Sequence, residues 1–179
     1  TFIESCLFQH SSWSLCNKLF RRTDSFDKIN FPSGALGEDM VMSVQLLLKT
    51  KRLDYVQEAL YHYFVNYSSI TKKKTVSHCE RNYRILKENT ELVIRILNEV
   101  NIPLEKYSIS DVEKYLRFCN LLYLLPIRHL PKYRLVWNRD FQFFPLMILR
   151  NRYISTFNKK MYFASLLPCY PFKSGRASD

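Results

Sequence analysis

Glu38 and Asp39 stand side by side directly after Phe31-Pro-Ser-Gly-Ala-Leu-Gly37. An adjacent pair of carboxylates at a loop exit admits two readings. A carboxylate held about 2.6–3.2 Å from a hydroxyl can take its proton as that oxygen attacks an electrophile. Acidic side chains in the first turn of a helix also cap it and complement its macrodipole, and by residue type alone this second reading prevails. Upstream, Trp13 offers a flat apolar face and Asn17 and Lys18 an amide and an ammonium for oxygen ligands. A core tryptophan and a solvated lysine are the ordinary alternatives. His10, His62, His78 and His129 never fall at i, i+3 or i+4 to one another, and adjacent His78 and Cys79 cannot comfortably share an ion, so the spacing argues against zinc. Nothing points to a Cys–His nucleophile.

The elements that must position these residues can be read from apolar spacing. Met40, Val41, Val44, Leu47 and Leu48 fall on one face of a 3.6-residue period, predicting a helix from Glu38 to Lys49 with the acidic pair in its first turn. Leu53–Val56 and Leu60–Val65 read as two short strands, with Tyr61 and Tyr63 as packing residues. Residues 66–74, with three consecutive lysines, read as loop. Leu86, Val93, Leu97 and Val100 predict a long amphipathic helix over Ser77–Val100. Ser110-Asp-Val-Glu113 is a capping-box pattern opening another helix, with Pro126 as its stop. After Pro131 a third helical region follows, Pro145 suiting a first helical position. Within it Ile154, Phe157, Met161 and Ala164 share one face, opposite Arg152 and Lys159.

Composition bounds the answer. The chain has 179 residues, 47% hydrophobic, enough for one domain with a core. Its three glycines allow neither a GxGxxG nor a GxxxxGK[ST] loop, which excludes nucleotide-binding domains of those two kinds. Five scattered cysteines, never as CxxC, indicate a reducing compartment. No run approaches the ~20 apolar residues of a membrane span. The opening Thr-Phe-Ile-Glu, with no methionine and no secretory leader, predicts that an upstream part is missing. The net charge is +11, and residues 126–179 hold 10 of the 27 basic residues but 2 of the 16 acidic ones. That excess suits an anionic membrane surface, nucleic acid or an acidic partner, or a solvated face with no partner at all. Basic residues alternate there with Tyr133, Trp137, Phe141, Phe143 and Tyr153, but no nucleic-acid-binding motif accompanies them, so no nucleic-acid partner is expected.

Trp13-Ser-Leu-Cys-Asn17-Lys18-Leu-Phe-Arg-Arg, Ile29-Asn-Phe31-Pro32 through Gly37-Glu38-Asp39-Met, Leu60-Tyr61-His62-Tyr63 and Ser69-Ile70-Thr71 follow one another in an order and with gaps that resemble the second half of a family 2 glycosyltransferase. The resemblance covers about residues 5–74. It implies an α+β, mostly α chain: an incomplete acceptor-side half of a GT-A fold over 1–74, followed by a helical region over 75–179. It makes Asp39 the general base of an inverting transfer from a nucleotide-sugar donor, with Glu38, Trp13, Asn17 and Lys18 binding substrate. The acceptor would be a saccharide or a lipid-linked saccharide, as in bacterial surface polysaccharide synthesis. The Gln-x-x-Arg-Trp segment of processive members is absent, which favours single-sugar transfer. A divalent cation (Mg or Mn) is implied through an Asp-x-Asp upstream of Thr1; none occurs in this chain. The expected place is the cytoplasm, peripheral at the inner membrane, with 126–179 touching an anionic surface. Apolar surface left by the missing half predicts self-association. A membrane-surface or protein-binding helical module without catalysis is the alternative.

Overall fold

The computed structural model describes residues 1–9, 11–22, 26, 28–32, 34, 36–64, 75–141, 145–152, 154–157, 159–160 and 163. In chain order the helices are α1 (Phe2–Leu7), α2 (Glu38–Lys49), α3 (Val76–Val100), α4 (Ile109–Leu121), α5 (Pro131–Phe141) and α6 (Pro145–Arg150), with a 3₁₀ helix over Leu122–Ile127. The α+β expectation is therefore corrected. The described residues are all-α, and neither a strand nor the partial GT-A sheet expected over 1–74 occurs among them. Residues 53–64 carry the side chains of strands but run through solvent, with Tyr63 82% and Phe64 86% exposed. A strand exists only through a neighbour's ladder of hydrogen bonds, and two short ones without further strands do not hold. Val65, the Ser69-Ile70-Thr71 piece of the family pattern and the rest of the 66–74 loop lie outside the described residues.

The body is built by α3 and α4. Along α3 the residues Cys79, Asn82, Ile85, Asn89, Val93, Ile96 and Leu97 are buried, a three-and-four spacing that gives one inward stripe. Its outward face carries Lys87 and Glu91 one turn apart. Val112, Tyr115, Leu116, Phe118 and Leu121 of α4 fill the opposite side. α3 packs on α4, on the 3₁₀ helix and on α2, while α1 lies on α2 and α5 and α6 rest on α4. Phe8 just beyond α1 joins this core with its ring centroid 4.7 Å from Tyr107 and 5.2 Å from Tyr115. A single apolar core thus runs from Ile3, Leu7 and Val41 through Leu97 and Phe118 to Ile148 and Ile154, drawing on residues from both sides of position 74.

Three local expectations are also corrected. The capping box of α4 is Ser108 with Asp111, two residues before the pattern read from the sequence: Ser108 Oγ accepts the Asp111 N–H at 3.2 Å and Asp111 Oδ2 accepts the Ser108 N–H at 3.0 Å. α4 ends at Leu121 rather than at Pro126, which sits inside the 3₁₀ run. A proline ring clashes with the carbonyl four residues earlier in an α-helix, here that of Leu122, and the tighter winding avoids it. The basic amphipathic helix expected to carry Ile154 and Phe157 on one face is interrupted after Arg150. Asn151 is fully buried there and the Arg152 N–H donates to Tyr107 Oη at 2.9 Å instead of to its own helix. Ile154 is buried and Phe157 exposed, so they do not share a face; Met161 and Ala164 lie outside the described residues.

None of the described helices is long and apolar enough to cross a membrane.

Candidate functional site

The site begins with a glycine. Gly37 is the N-cap of α2 at φ +80°, a left-handed conformation open to glycine, and its carbonyl accepts the N–H groups of Met40 and Val41 at 3.1 and 3.3 Å. A Cβ at this position would lie 2.9 Å from Leu86 Cδ2 and 3.4 Å from Asn89 Nδ2, both on α3. The turn is therefore pressed against the body. Asn89 fixes it by donating to Leu36 O at 2.8 Å. Two turns further along α2, Gln45 grips the backbone of Asn30 from both sides, accepting its N–H at 2.8 Å and donating to its C=O at 2.9 Å. The loop leading to the acidic pair is thus tied down on α2 and α3 by two buried amide side chains.

Glu38 and Asp39 follow as the first two residues of α2, both half-buried. The cap is the backbone of Gly37, with no side-chain capping bond. Neither carboxylate forms a hydrogen bond or ion pair among the described residues, and the helix dipole favours their charge. They are not consumed by the capping role that residue type alone assigned to them.

The Trp13–Lys18 segment is fastened to the middle of α2. Ser43 Oγ donates to the Trp13 carbonyl at 2.6 Å. The half-buried Trp13 packs against the core, and its indole Nε1 is buried without a hydrogen-bond partner among the described residues. Trp13 is thus partly a core residue. Lys18 is half-buried rather than solvated: its Nζ donates to Ser12 O and Ser14 O, both at 2.7 Å, and to Asn17 Oδ1 at 3.0 Å, closing the loop on itself. Burial lowers the Lys18 ammonium from its usual range, while the neighbouring Cys6 thiol and the Asp39 carboxylate act to raise it. Asp39 therefore lies within electrostatic reach of Lys18. Cys6, buried beneath, is raised by desolvation and pulled back by Lys18.

Another piece of the family-like pattern lies near the Trp13–Lys18 segment. Tyr61, half exposed rather than packed, lies near the thiol of Cys16, and this neighbour is the main cause of its raised phenol. Trp13 is thus tied to α2 through Ser43, Asn17 to Lys18 by a hydrogen bond, and Lys18 to Asp39 by charge, while Tyr61 stands by Cys16. Tyr63 is exposed.

Ser43, Gln45 and Asn89 were not singled out from the sequence, although a signal was there. Gln45 falls four residues after buried Val41, and Asn82 and Asn89 stand seven apart on the inward stripe of α3. Polar side chains at core positions must find partners, and the backbone of a neighbouring loop supplies them. Among the described residues no group of three or more His, Cys, Asp or Glu side chains is placed to hold a metal ion. The divalent cation implied by the resemblance finds no donor set here, and no step is derived through it.

No protein-family profile, curated protein or solved structure matches this chain.

Proposed function

We propose that this chain is the acceptor-side part of an inverting, non-processive glycosyltransferase, moving one sugar from a nucleotide-sugar donor to a saccharide or lipid-linked acceptor. The observation that carries the reading is the Asp39 carboxylate, half-buried in the first turn of α2, without a hydrogen bond or ion pair among the described residues and within electrostatic reach of Lys18. A chance acidic pair at a helix start needs no such company.

In this reading the acceptor hydroxyl lies against Asp39. As its oxygen bonds to the anomeric carbon, the bond from that carbon to the diphosphate breaks and Asp39 takes the hydroxyl proton. Because one displacement makes and breaks these bonds, the configuration inverts. Lys18, already holding the 12–18 loop, keeps the local field positive where acceptor oxygens gather. Trp13, anchored in the core at one edge, offers the other as a wall for the sugar's C–H groups. Asn17 and Glu38 supply polar contacts on either side. Donor and divalent cation are assigned to residues outside this chain. The setting that fits is the cytoplasmic side of a bacterial inner membrane during surface polysaccharide synthesis.

The test is product stereochemistry. A protein containing this chain, given nucleotide sugars and saccharide acceptors, is expected to release a glycoside whose anomeric configuration, read by NMR, is opposite to the donor's. Retention of configuration, or no transfer from any donor, would overturn the proposal.

A further inference from the structure

Between α3 and α4 the body leaves a cleft of about 130 Å³ that the proposed chemistry does not use. Its most deeply set residues are Thr90 and Asn120, 3% and 5% exposed. The Asn120 amide donates to Leu86 O at 3.3 Å and to Thr90 Oγ1 at 2.9 Å. With both N–H groups so committed, its Oδ1 accepts nothing among the described residues, and a polar oxygen at this depth calls for a donor. Ile94, half-buried, adds an apolar wall.

The rim is charged and balanced. α3 supplies Lys87 and Glu91, α4 supplies Arg117 and Glu113, and each pair is joined along its own helix. Arg117 Nε and Nη2 both donate to Glu113 Oε1, at 2.9 and 2.7 Å, which leaves Glu113 Oε2 without a bond among the described residues. Lys87 and Glu91 stand 4.0 Å apart, too far for a hydrogen bond, so both keep their bonding capacity. Among the described residues no ion pair crosses the cleft from one helix to the other.

Size and charge together select the occupant. The cleft is well under the roughly 300–1,000 Å³ of sites for drug-sized ligands, so a nucleotide sugar does not fit. A lone anion would meet Glu91 and Glu113 as well as the cations, and a lone cation would meet Lys87 and Arg117. A purely apolar molecule would leave the Asn120 oxygen without a donor. A small molecule bearing both charges answers every group. Its carboxylate faces Lys87 and Arg117, its ammonium donates to Asn120 Oδ1 and a rim carboxylate, and an apolar substituent covers Ile94. We propose that this cleft binds a free α-amino acid with a small aliphatic side chain, from alanine to valine in size. The site is independent of the transfer reading, because none of its residues belongs to the site at α2.

The experiment is an NMR titration of the intact protein with L-valine, followed at the Asn120 side-chain amide and the Ile94 methyls, alongside Tm. Saturable shifts at these groups and a rise in Tm are expected at millimolar ligand. Isovalerate and isobutylamine, which keep the side chain but carry only one of the two charges, are expected to bind about tenfold or more weakly. Lys87→Gln and Glu91→Gln, both more than half exposed and each checked for its fold by circular dichroism, should weaken valine binding about tenfold. No saturable shift at Asn120 and Ile94 would overturn the proposal. So would binding of isovalerate or isobutylamine as tight as that of valine, or binding unaltered in both variants.

Discussion

The α3–α4 body and the segments around α2 are held together in different ways. In the body, side chains meet side chains: Val93, Leu97, Val112, Tyr115, Leu116, Phe118 and Leu121 are all at most 1% exposed and bury one another. Around α2 the apolar face of one helix touches the body, but the loops on either side are held by single polar side chains reaching a backbone, as Ser43 does to Trp13, Gln45 to Asn30 and Asn89 to Leu36. Beyond α2, residues 53–64 are almost wholly in solvent. Apolar packing is dense and non-directional, and gives a body that tolerates little change in volume. Backbone-directed hydrogen bonds are sparse and oriented, and fix a loop's path while leaving its other face open. The residues proposed for chemistry all lie in the second kind of region.

That contrast can be broken first in the body. Phe118→Ala, emptying a fully buried ring position, should destabilise the protein by about 3–5 kcal/mol in urea denaturation. A loss below about 1 kcal/mol would mean that this core is not the tight one described.

The next effect sharpens the loop side. Gly37→Ala places a Cβ against Leu86 and strains a φ of +80°, and should lower stability by about 1–3 kcal/mol. Its signature is local: the Met40 and Val41 amides, which donate to Gly37 O, should exchange faster while those of α4 hold their protection. Uniformly faster exchange would show that the loop and the body are one cooperative unit.

The smallest effect concerns a contact within the body's own surface. Glu80 on α3 accepts from Lys132 Nζ at 2.8 Å and from the Tyr133 hydroxyl, both on α5, and these bonds hold its carboxyl below the usual range. With the folded value below the unfolded one, the contact stabilises above the unfolded carboxylate range and its contribution is lost as pH falls through the folded value. Glu80→Gln should therefore lower Tm slightly at neutral pH, as exposed ion pairs do, and the difference from wild type should vanish in acid. A difference that grows in acid would contradict the assignment.

The sequence made α2 and α3 legible because each buries a stripe with a regular spacing and carries its stop signals nearby. α2 has the predicted bounds, and α3 begins one residue before the predicted Ser77. The strands failed for the reason that strands are nonlocal. Leu53–Val56 and Leu60–Phe64 have the composition of sheet, but composition does not supply a partner, and among the described residues none lies alongside. The offset capping box shows the same limit at short range, since Ser108 and Ser110 both precede an acidic residue by three and only packing of the helix selects the first. The fasteners of the loops around α2 were hidden as polar residues on apolar faces. Tyr61 was legible as a residue of the pattern but not as a neighbour of Cys16, because that contact spans 45 positions.

The central claim is that Asp39 takes a proton from the acceptor, and single-turnover transfer with donor saturating addresses it most directly. In a protein containing this chain, Asp39→Asn is predicted to slow the chemical step by roughly 10²–10⁴-fold while donor affinity stays at its wild-type value and Tm falls only slightly, and Glu38→Gln is predicted to act mainly on acceptor KM. A chemical step in Asp39→Asn that matches wild type would contradict the account.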